Sequence, residues 1–405
     1  MAQQWCIETR ASYAAAYGNA AKQQKSQILD HVVAETGWSR DNARRQLTAT
    51  ANRLRRGAPA QPAQRKARTR KFSGQALQVL RFVWMVSGFQ CGKYLVQSMR
   101  LHLDALEYHG ELAFNRLHYS GQVRDELLAM SAASIDRYLK QFRDAGEAER
   151  TAPVLRSSIS ISDLGTLFDP EPGFVECDLF GHGTSAMNTA RTLNLTCVHT
   201  GWTFTRTMGA ERGVDLAQTL EAAIDPGHGI PFAVTRLDFN HGDEGLRRVC
   251  FNWAESHGIE VSRLRPIMSS EALASKAHHM VHRYGFGLPY RTAQECRLLN
   301  RLWQLVNDRL NFLTPTKKPV GWSVSRTGRK KRVYDVPAAP VDRLLAAGVI
   351  SPAQEAELRA YRRELNPAHM SREITDIQRK LRANDTTMAR RYEARALSCF
   401  FDQGL

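Results

Sequence analysis

Arginine and amide side chains are concentrated at the start of one predicted helix. This helix spans 40–54 and begins after Ser39, a good N-cap that follows the break at Gly37-Trp38. Guanidinium groups bind phosphates, and amide and guanidinium groups also read base edges in a DNA groove. The helix is therefore predicted to contact DNA, although a helical hairpin with a solvated face has the same outline. The polar side chains concerned are Arg40, Asn42, Arg44, Arg45 and Gln46.

A second helix is predicted just before this one. Residues 20–36 have apolar side chains at Ile28, Leu29, Val32 and Val33, which is the spacing of one helical face. A helix, a short turn with a glycine and another helix form the outline of a helix-turn-helix. Residues 1–52 are therefore predicted to be a DNA-binding domain.

The segment that follows, residues 53–72, is predicted to be a basic linker. Its first 19 residues hold eight Lys or Arg residues separated mainly by Ala, Pro and Gln, from which no core can be built. The charge suits an arm that lies along phosphates or in a minor groove, and the alternative is a solvated tether. The basic residues are Arg53, Arg55, Arg56, Arg65, Lys66, Arg68, Arg70 and Lys71.

Two histidines have a spacing that metal ligands can adopt. His278 and His282 are spaced i, i+4 and could bind a transition metal, but without an HExxH glutamate two surface histidines are the favoured interpretation. The seven cysteines contain no CxxC pair, which indicates reduced thiols in a cytoplasmic protein. Neither a signal peptide nor an apolar run of membrane-spanning length is recognised, so no membrane partner is expected.

The net charge of +16 is segregated along the 405 residues. Residues 1–150 carry +10, residues 151–313 carry −2 and residues 314–405 carry +8. A nearly neutral middle between two basic regions indicates a polyanion held from both sides, most simply nucleic acid. Solubility alone would not require the charges to be separated in this way.

The predicted secondary structure divides the rest of the chain into helical and β-rich segments. A helical block is predicted from Ser73 to about Ala145, and Ser131 could cap a second recognition-type helix. Short β-rich runs, helices, and two later strands at Pro231–Leu237 and near Val261 then predict an α/β domain with a mixed five-stranded sheet. Thr292–Phe312 and 341–405 are predicted helical. A basic ribbon or loop precedes the last region and contains Arg329, Lys330, Lys331 and Arg332.

Several motifs resemble the integrase core of bacterial DDE transposases. Three surround the predicted strands: Pro172-Gly-Phe-Val-Glu-Cys-Asp-Leu, Thr200-Gly-Trp-Thr and Leu237-Asp-Phe-Asn-His-Gly-Asp-Glu. Later matches are Ser262-Arg-Leu-Arg-Pro, Leu299-Asn-Arg-Leu-Trp, Leu310-Asn-Phe, Lys331-Arg-Val-Tyr-Asp and Leu365-Asn-Pro. Earlier matches are Ile28-Leu-Asp, Cys91-Gly-Lys and Met130-Ser-Ala-Ala-Ser-Ile-Asp-Arg.

The resemblance covers nearly the whole chain and implies a multidomain protein. It implies a ribonuclease H-like core over 151–313, placed between α-helical N-terminal DNA-binding regions and a basic, mainly helical C-terminal region over 314–405. The helical block, residues 73–150, becomes a second DNA-binding domain in this scheme. Charge segregation along the chain indicates the same order independently.

Such transposases use two Asp and one Glu to hold two divalent ions at a phosphodiester. By this resemblance Asp178 is the first Asp, on the first strand. The second position is Asn240, and the third falls ten residues after Pro266, at Lys276. These three side chains sum to zero charge instead of −3, and an ammonium repels a cation. No cofactor is therefore expected, and strand transfer is predicted to be lost.

Other carboxylates could replace the missing pair. Asp238 is two residues before Asn240 and would share its face on a strand, and Asp243 and Glu244 follow at the start of the next helix. Two function classes stay open: an inactive, transposase-derived DNA-binding protein, and an active transposase that uses these carboxylates with Mg²⁺ or Mn²⁺. Double-stranded DNA is the expected partner of both, bound by a homo-oligomer at the nucleoid, and accessory proteins stay unknown.

Overall fold

A computed structural model describes residues 7–57, 71–113, 116–144, 171–182, 189–209, 214–225, 227, 229–239, 244–262, 280–324, 328 and 330–383. The chain divides into two compact units, Met1–Lys71 and Phe72–Leu405. Across the described ranges, no helix has both the length and the apolarity needed to cross a membrane. The predicted boundaries near 150 and 313 both fall inside the second unit and stay predictions.

The first unit contains a three-helix bundle. Its buried core includes Tyr17, Leu29, Val32 and Leu47, which recur at helical spacing and therefore form one apolar face on each helix. The helices are α1 (Ile7–Asn19), α2 (Lys22–Thr36) and α3 (Arg40–Arg55). The second and third were predicted at nearly these bounds.

The second unit begins with four α-helices around a buried core of Trp84, Leu95, Met99 and Ile135. Serine hydroxyls accept from backbone N–H groups in the first turn and so fix the starts of three of these helices. The helices are α4 (Gly74–Val86), α5 (Gly92–Tyr108), α6 (Gly121–Leu128) and α7 (Ala132–Asp144).

Gly92 allows α5 and α7 to approach closely. A Cβ at this position would lie 2.2 Å from the carbonyl oxygen of Ala132, which only glycine avoids. The backbone N–H of Gly92 also donates to Asp136 Oδ1 at 2.8 Å. Replacement of Gly92 would therefore force the two helices apart.

A five-stranded mixed sheet follows, as predicted. The strand order is β3-β2-β1-β4-β5, with antiparallel pairing among the first three strands and parallel pairing of β1 with β4 and of β4 with β5. The elements are β1 (Phe174–Gly181), β2 (Arg191–Cys197), β3 (Thr203–Met208), α8 (Val214–Ile224), β4 (Arg236–Phe239), α9 (Glu244–Ser256) and β5 (Glu260–Ser262). This arrangement is compatible with a ribonuclease H-like fold.

The predicted position of the fourth strand was wrong by several residues. Residues 231–235 are not in a strand, and β4 begins only at Arg236. The N–H groups of Thr235 and Arg236 both donate to the Gly173 carbonyl, at 3.0 and 3.2 Å, so the strand starts where it meets β1. The apolar segment begins before the strand does, but pairing with β1 determines where β4 starts.

The remaining described residues of this unit form several helices and one hairpin. Residues 280–285 are helical, and a π-helical turn, Arg309–Leu313, continues the long helix α10. The elements are α10 (Ala293–Asp308), β6 (Pro319–Val324), β7 (Lys330–Tyr334), α11 (Pro340–Ala347), α12 (Pro352–Glu364) and α13 (Pro367–Ala383). The hairpin agrees with the predicted basic ribbon.

The α4–α7 helices and the C-terminal helices share buried polar contacts. Glu111, which is buried, accepts hydrogen bonds from Arg372 at 2.6 and 3.2 Å and from Asn366 at 3.1 Å. Gln90 donates to the Leu313 carbonyl at 3.4 Å. These contacts tie α13 and the end of α10 to the helices at the start of the unit.

Candidate functional site

The turn between α2 and α3 is fixed by two local features. Gly37 adopts a left-handed conformation with φ of 68°, and its N–H donates to the Val33 carbonyl and closes α2. The Ser39 hydroxyl accepts from the N–H of Asn42 at 3.3 Å and starts α3. The predicted helix-turn-helix outline is therefore present in the N-terminal unit.

Of the polar side chains predicted to meet DNA, Arg40 and Gln46 link helices of this bundle, and Asn42 has a partner within α3. Arg40 pairs with Asp30 and donates to Ser26 Oγ at 2.6 Å, which links α3 to α2. Gln46 accepts a hydrogen bond from Arg10 on α1. Asn42 Oδ1 is occupied by Arg45 at 3.1 Å.

Arg55, assigned to the linker by its sequence, is also structural. It lies in the last turn of α3 and donates to the Gly18 carbonyl at the end of α1, at 2.7 Å. Arg53 is likewise helical, and Arg56 is the C-cap residue of α3. The helix therefore extends past the predicted boundary at 52.

Arg44 and Arg45 stay exposed on α3. Arg44 pairs with Asp41 at 3.3 Å, within one helical turn and on the surface. Exposed pairs of this kind contribute little to stability, because water solvates both charges well. Both guanidinium groups can therefore exchange their present partners for phosphate oxygens.

Two further exposed residues share the face of Arg45. Thr48 and Asn52 are three and seven positions further along α3, which places them on the same side of the helix. The opposite side is buried through Ala43 and Leu47. The i, i+3, i+7 spacing could have identified this face from the sequence, whereas the prediction took polar residues mainly from the helix start.

Other predicted DNA-binding residues are placed only in part. Lys71 is exposed at the end of the first unit, and three basic residues lie on β7, namely Lys330, Lys331 and Arg332. Outside the described residues lie Arg65, Lys66, Arg68, Arg70 and Arg329.

Carboxylates lie together on one face of the central sheet. Asp178 is on β1 opposite Asn194 of β2, and Glu176 is opposite Asp238 of β4. Residues two apart on a strand share a face, and in-register residues of adjacent strands do also, so these three acids are on the same side. Glu176 is 6% exposed and Asp238 is 8% exposed, whereas Asp178 is half-buried.

Glu176 was not predicted as a site residue. The signal was present, because Glu176 is two positions before Asp178 in a run that is otherwise apolar. Alternation on a strand would have placed both acids on the same face. The register of β4 then places Asp238, which was predicted as a possible replacement carboxylate, directly opposite Glu176.

The degenerate positions themselves lie beyond the described residues. The β1–β4 register ends with Cys177 opposite Phe239, and Asn240, Asp243 and Lys276 are outside the described ranges. Glu244 is the first residue of α9, is exposed and pairs with Arg247 at 2.6 Å. Among the described residues, no three His, Cys, Asp or Glu side chains converge to hold a metal ion.

The electrostatic field at β1 is negative. Burial raises the pKa of the Cys177 thiol, and a hydrogen bond with Cys250 and the nearby charges of Asp178 and Asp238 raise this pKa further. The thiol therefore stays protonated and is not a nucleophile. Neutral side chains continue the face: Asn194 Oδ1 accepts from the hydroxyls of Thr203 and Thr205 at 3.0 and 2.9 Å.

The predicted histidine pair is described only in part, because His278 lies outside the described residues. His282 is in the helical segment 280–285, and its charge would act on His182. Burial lowers the pKa of His182 to about 4, and the proximity of His282 adds to this effect. His182 Nε2 lies 2.6 Å from the Thr192 hydroxyl, so this imidazole is a neutral, hydrogen-bonded core residue.

Comparisons with known proteins give a similar sequence and a distant structural match. No protein family model matches the chain. An uncharacterized protein designated y4rM, from Sinorhizobium fredii (strain NBRC 101917 / NGR234), is 29% identical over 313 residues, which are 75% of this chain and 84% of that protein. A chain in the cryo-EM structure of the simian T-cell lymphotropic virus intasome with the PP2A regulatory subunit B56 gamma gives a TM-score of 0.24 at 10% identity. That match covers 39% of this chain and about half (52%) of the viral complex chain, and at this score it carries no weight for fold or function.

Proposed function

We propose that this chain is a transposase-derived DNA-binding protein whose integrase-like core does not cleave or join DNA. The observation that carries the proposal is the strand order β3-β2-β1-β4-β5 with Asp178 on its central strand. A helix-turn-helix with an exposed basic face precedes this sheet in the chain. The same order was expected from the resemblance to DDE transposases.

DNA binding begins at α3 in this proposal. Arg44 and Arg45 contact phosphates, and Thr48 and Asn52, on the Arg45 face, reach base edges in the major groove. The hydroxyl and amide side chains are able to donate and accept, which suits base recognition. Arg40 and Arg55 contribute indirectly, because they fix α3 on the other two helices.

Loss of catalysis follows from the charge of the three family positions. Asp178 supplies one carboxylate, but Asn240 is neutral and Lys276 is cationic. Mg²⁺ gives up water only for a set of hard, anionic oxygens, and this set has one. The residues present do not fit a two-metal site, so no reaction step is assigned to the core.

The second candidate is an active transposase with relocated carboxylates. One observation favours it: Glu176 and Asp238 lie opposite each other, next to Asp178, on one face of the sheet. In that case Asp238 or Glu244 would replace Asn240 as a ligand of Mg²⁺ or Mn²⁺. The exposed ion pair of Glu244 with Arg247 is weak and would be exchanged for the metal.

Binding to duplex DNA at several salt concentrations tests the first proposal. If five to eight phosphates are contacted, log K falls against log[salt] with a slope of roughly −4 to −7. Deletion of residues 1–71, which form a separate unit, is expected to weaken binding far more than Lys276→Ala. A slope near zero for the full chain would refute DNA binding.

Assembly and location are part of the same proposal. Transposases of this kind act as multimers on DNA, so a homo-oligomer formed at the nucleoid in the cytoplasm is expected. Sedimentation with and without duplex DNA measures this directly. A monomer at saturating DNA would contradict it.

A further inference from the structure

The β6–β7 hairpin is held firmly at its base. The carboxylate of Asp335 accepts from the N–H of Lys318 at 2.5 Å and from the guanidinium of Arg343 at 3.0 Å. Arg343 also donates to the carbonyls of Thr316 and Ala338, at 2.5 and 3.0 Å. A single side chain from α11 therefore clamps both ends of the hairpin, which fixes the direction in which its strands extend.

One face of the hairpin carries an exposed apolar stripe. Trp322 and Val324 are two positions apart in regular register with β7, so they lie on the same side of β6. Val320 precedes them in a β-bulge between Pro319 and Gly321, and the exposed fractions of Val320, Trp322 and Val324 are 53%, 54% and 66%. Single exposed apolar residues are ordinary, but an exposed tryptophan beside an exposed valine on one face, next to a third exposed apolar residue, is typical of an interaction surface.

The stripe lies within a strongly basic segment. Residues 317–334 contain seven Lys or Arg residues and no Asp or Glu. In the ladder, Arg332 is opposite Trp322 and Lys330 is opposite Val324. A partner for this surface must therefore combine negative charge with flat apolar surfaces, and a nucleic acid offers phosphates beside stacked bases.

The two-stranded form of the hairpin points to double-stranded DNA. A two-stranded ribbon fits into a DNA groove, and apolar side chains that enter the minor groove separate adjacent base pairs and bend the duplex. Tryptophan is large and flat enough for this, and Val324 lies beside it on the same face. Because the hydrogen bonds of Asp335 and Arg343 hold its base, the hairpin can keep its position while base pairs are separated.

We propose that the β6–β7 hairpin inserts Trp322 between base pairs from the minor groove, and that the adjacent Lys and Arg residues bind the flanking phosphates. This inference rests on the proposed DNA-binding function and adds DNA deformation to it. Trp322 is then a binding residue that reads how readily a base step unstacks. Flexible pyrimidine–purine steps would be its preferred sites.

The test compares Trp322→Ala with the unmodified full chain on a short duplex labelled with donor and acceptor dyes at its two ends. The unmodified protein is expected to raise energy transfer by bending the duplex. Trp322→Ala should lose that rise and bind about tenfold more weakly, as expected when aromatic stacking on a base is removed. Its salt slope should stay unchanged, because the phosphate contacts remain.

Two control variants make the result specific. Val349→Ala changes another exposed apolar residue, between α11 and α12, and should leave affinity and bending unchanged. Trp322→Phe retains an aromatic ring and should restore most of the bending. Melting temperatures of Trp322→Ala, Trp322→Phe and Val349→Ala, compared with that of the unmodified chain, check that the variants are folded.

The outcomes separate this inference from the proposed function. Salt-dependent binding with equal bending by Trp322→Ala and the unmodified chain would overturn the insertion of Trp322 and leave the proposed DNA binding intact. No salt-dependent binding by the unmodified chain would overturn both. If Trp322→Ala lowered the sedimentation coefficient of the protein without DNA, a second copy of the chain would cover the apolar stripe. That result would also overturn the insertion of Trp322 into DNA.

Discussion

Asn300 on α10 is joined to Thr207 on β3 by two hydrogen bonds. Its Oδ1 accepts from the backbone N–H at 2.7 Å, and its Nδ2 donates to the backbone carbonyl at 2.9 Å. β3 is an edge strand, whose outward N–H and carbonyl groups would otherwise be available to another strand. The amide of Asn300 takes the place of that strand.

The same contact is repeated along the edge. Asn307 bonds the backbone of Thr205 at 3.1 and 3.2 Å. Asn311 bonds the backbone of Thr203 at 2.8 Å in both directions. These side-chain amides occupy the positions that a further strand would take. Helix α10 and the π-helical turn therefore cover the β3 edge of the sheet, which is the edge opposite β5.

The first prediction concerns this asparagine ladder. Asn311→Ala leaves the N–H and carbonyl of Thr203 buried without these partners, so the free energy of unfolding should fall by about 2–4 kcal/mol. Urea unfolding of the full chain measures the change. Asn252→Ala, on the exposed face of α9, is the matched control and should have little effect. Equal midpoints for the two variants would contradict a structural role of the ladder.

The second prediction concerns pH. Burial raises the pKa of Asp308 to about 6, against the opposing effects of the Tyr361 hydroxyl at 3.0 Å and the charge of Arg301. A raised carboxyl pKa contributes stability at low pH that is lost as the pH rises through about 6.

The change in the free energy of unfolding caused by Asp308→Asn should therefore be about 2–3 kcal/mol more favourable at pH 8 than at pH 4. Thermal melts of both proteins across this range measure the difference. Glu255→Gln removes an exposed acid on α9 and serves as the control. If the Asp308→Asn difference were the same at every pH, ionisation of this carboxyl would not matter to folding.

The third prediction separates DNA contacts from bundle contacts on α3. Arg45→Ala should weaken duplex binding several-fold and reduce the steepness of the salt slope by about one unit, because one phosphate contact is lost. Asn52→Ala should lower discrimination between DNA sequences with little change in slope.

Arg40→Ala supplies the contrast, because loss of its contacts with Asp30 and Ser26 on α2 should lower the stability of the N-terminal unit, by up to about 1 kcal/mol since these contacts are exposed. Gln27→Ala, exposed on α2, is the neutral control. If Arg45→Ala lowered stability as much as Arg40→Ala, the division between a DNA-binding Arg45 and a structural Arg40 would be wrong.

The fourth prediction tests the degenerate catalytic positions. Asn240→Asp and Lys276→Glu together should restore divalent metal binding, with a stabilisation of about 1.4 kcal/mol at a metal concentration ten times Kd. Each change alone should restore much less, because the carboxylates act as one cradle. Calorimetric titration with Mn²⁺ measures binding, and adding Asp178→Asn should abolish it.

Cleavage assays with the unmodified protein provide the decisive control. Metal-dependent nicking of a DNA end that disappears with Asp178→Ala would refute the inactive assignment. It would mean that Asp238, Asp243 or Glu244 acts as the replacement ligand.

The sequence alone determined the local elements. Gly37 and Ser39 end one helix and start the next through backbone conformation and capping, which are properties of a few adjacent residues. The helix Val214–Ile224 and the strand Thr203–Met208 were likewise predictable within about a residue, because burial of one helical face, or β-branched and aromatic residues bounded by turns, leaves a local pattern.

Tertiary structure decided which of these residues meet. The start of β4 depends on pairing with β1, and the proximity of Glu176 and Asp238 depends on the parallel register, two features with no local signature. Asn300 looked like one residue in a family motif, but its role exists only because α10 lies along β3. Hydrogen bonds between distant segments depend on how complete elements pack, so the spacing of residues within one segment does not encode them.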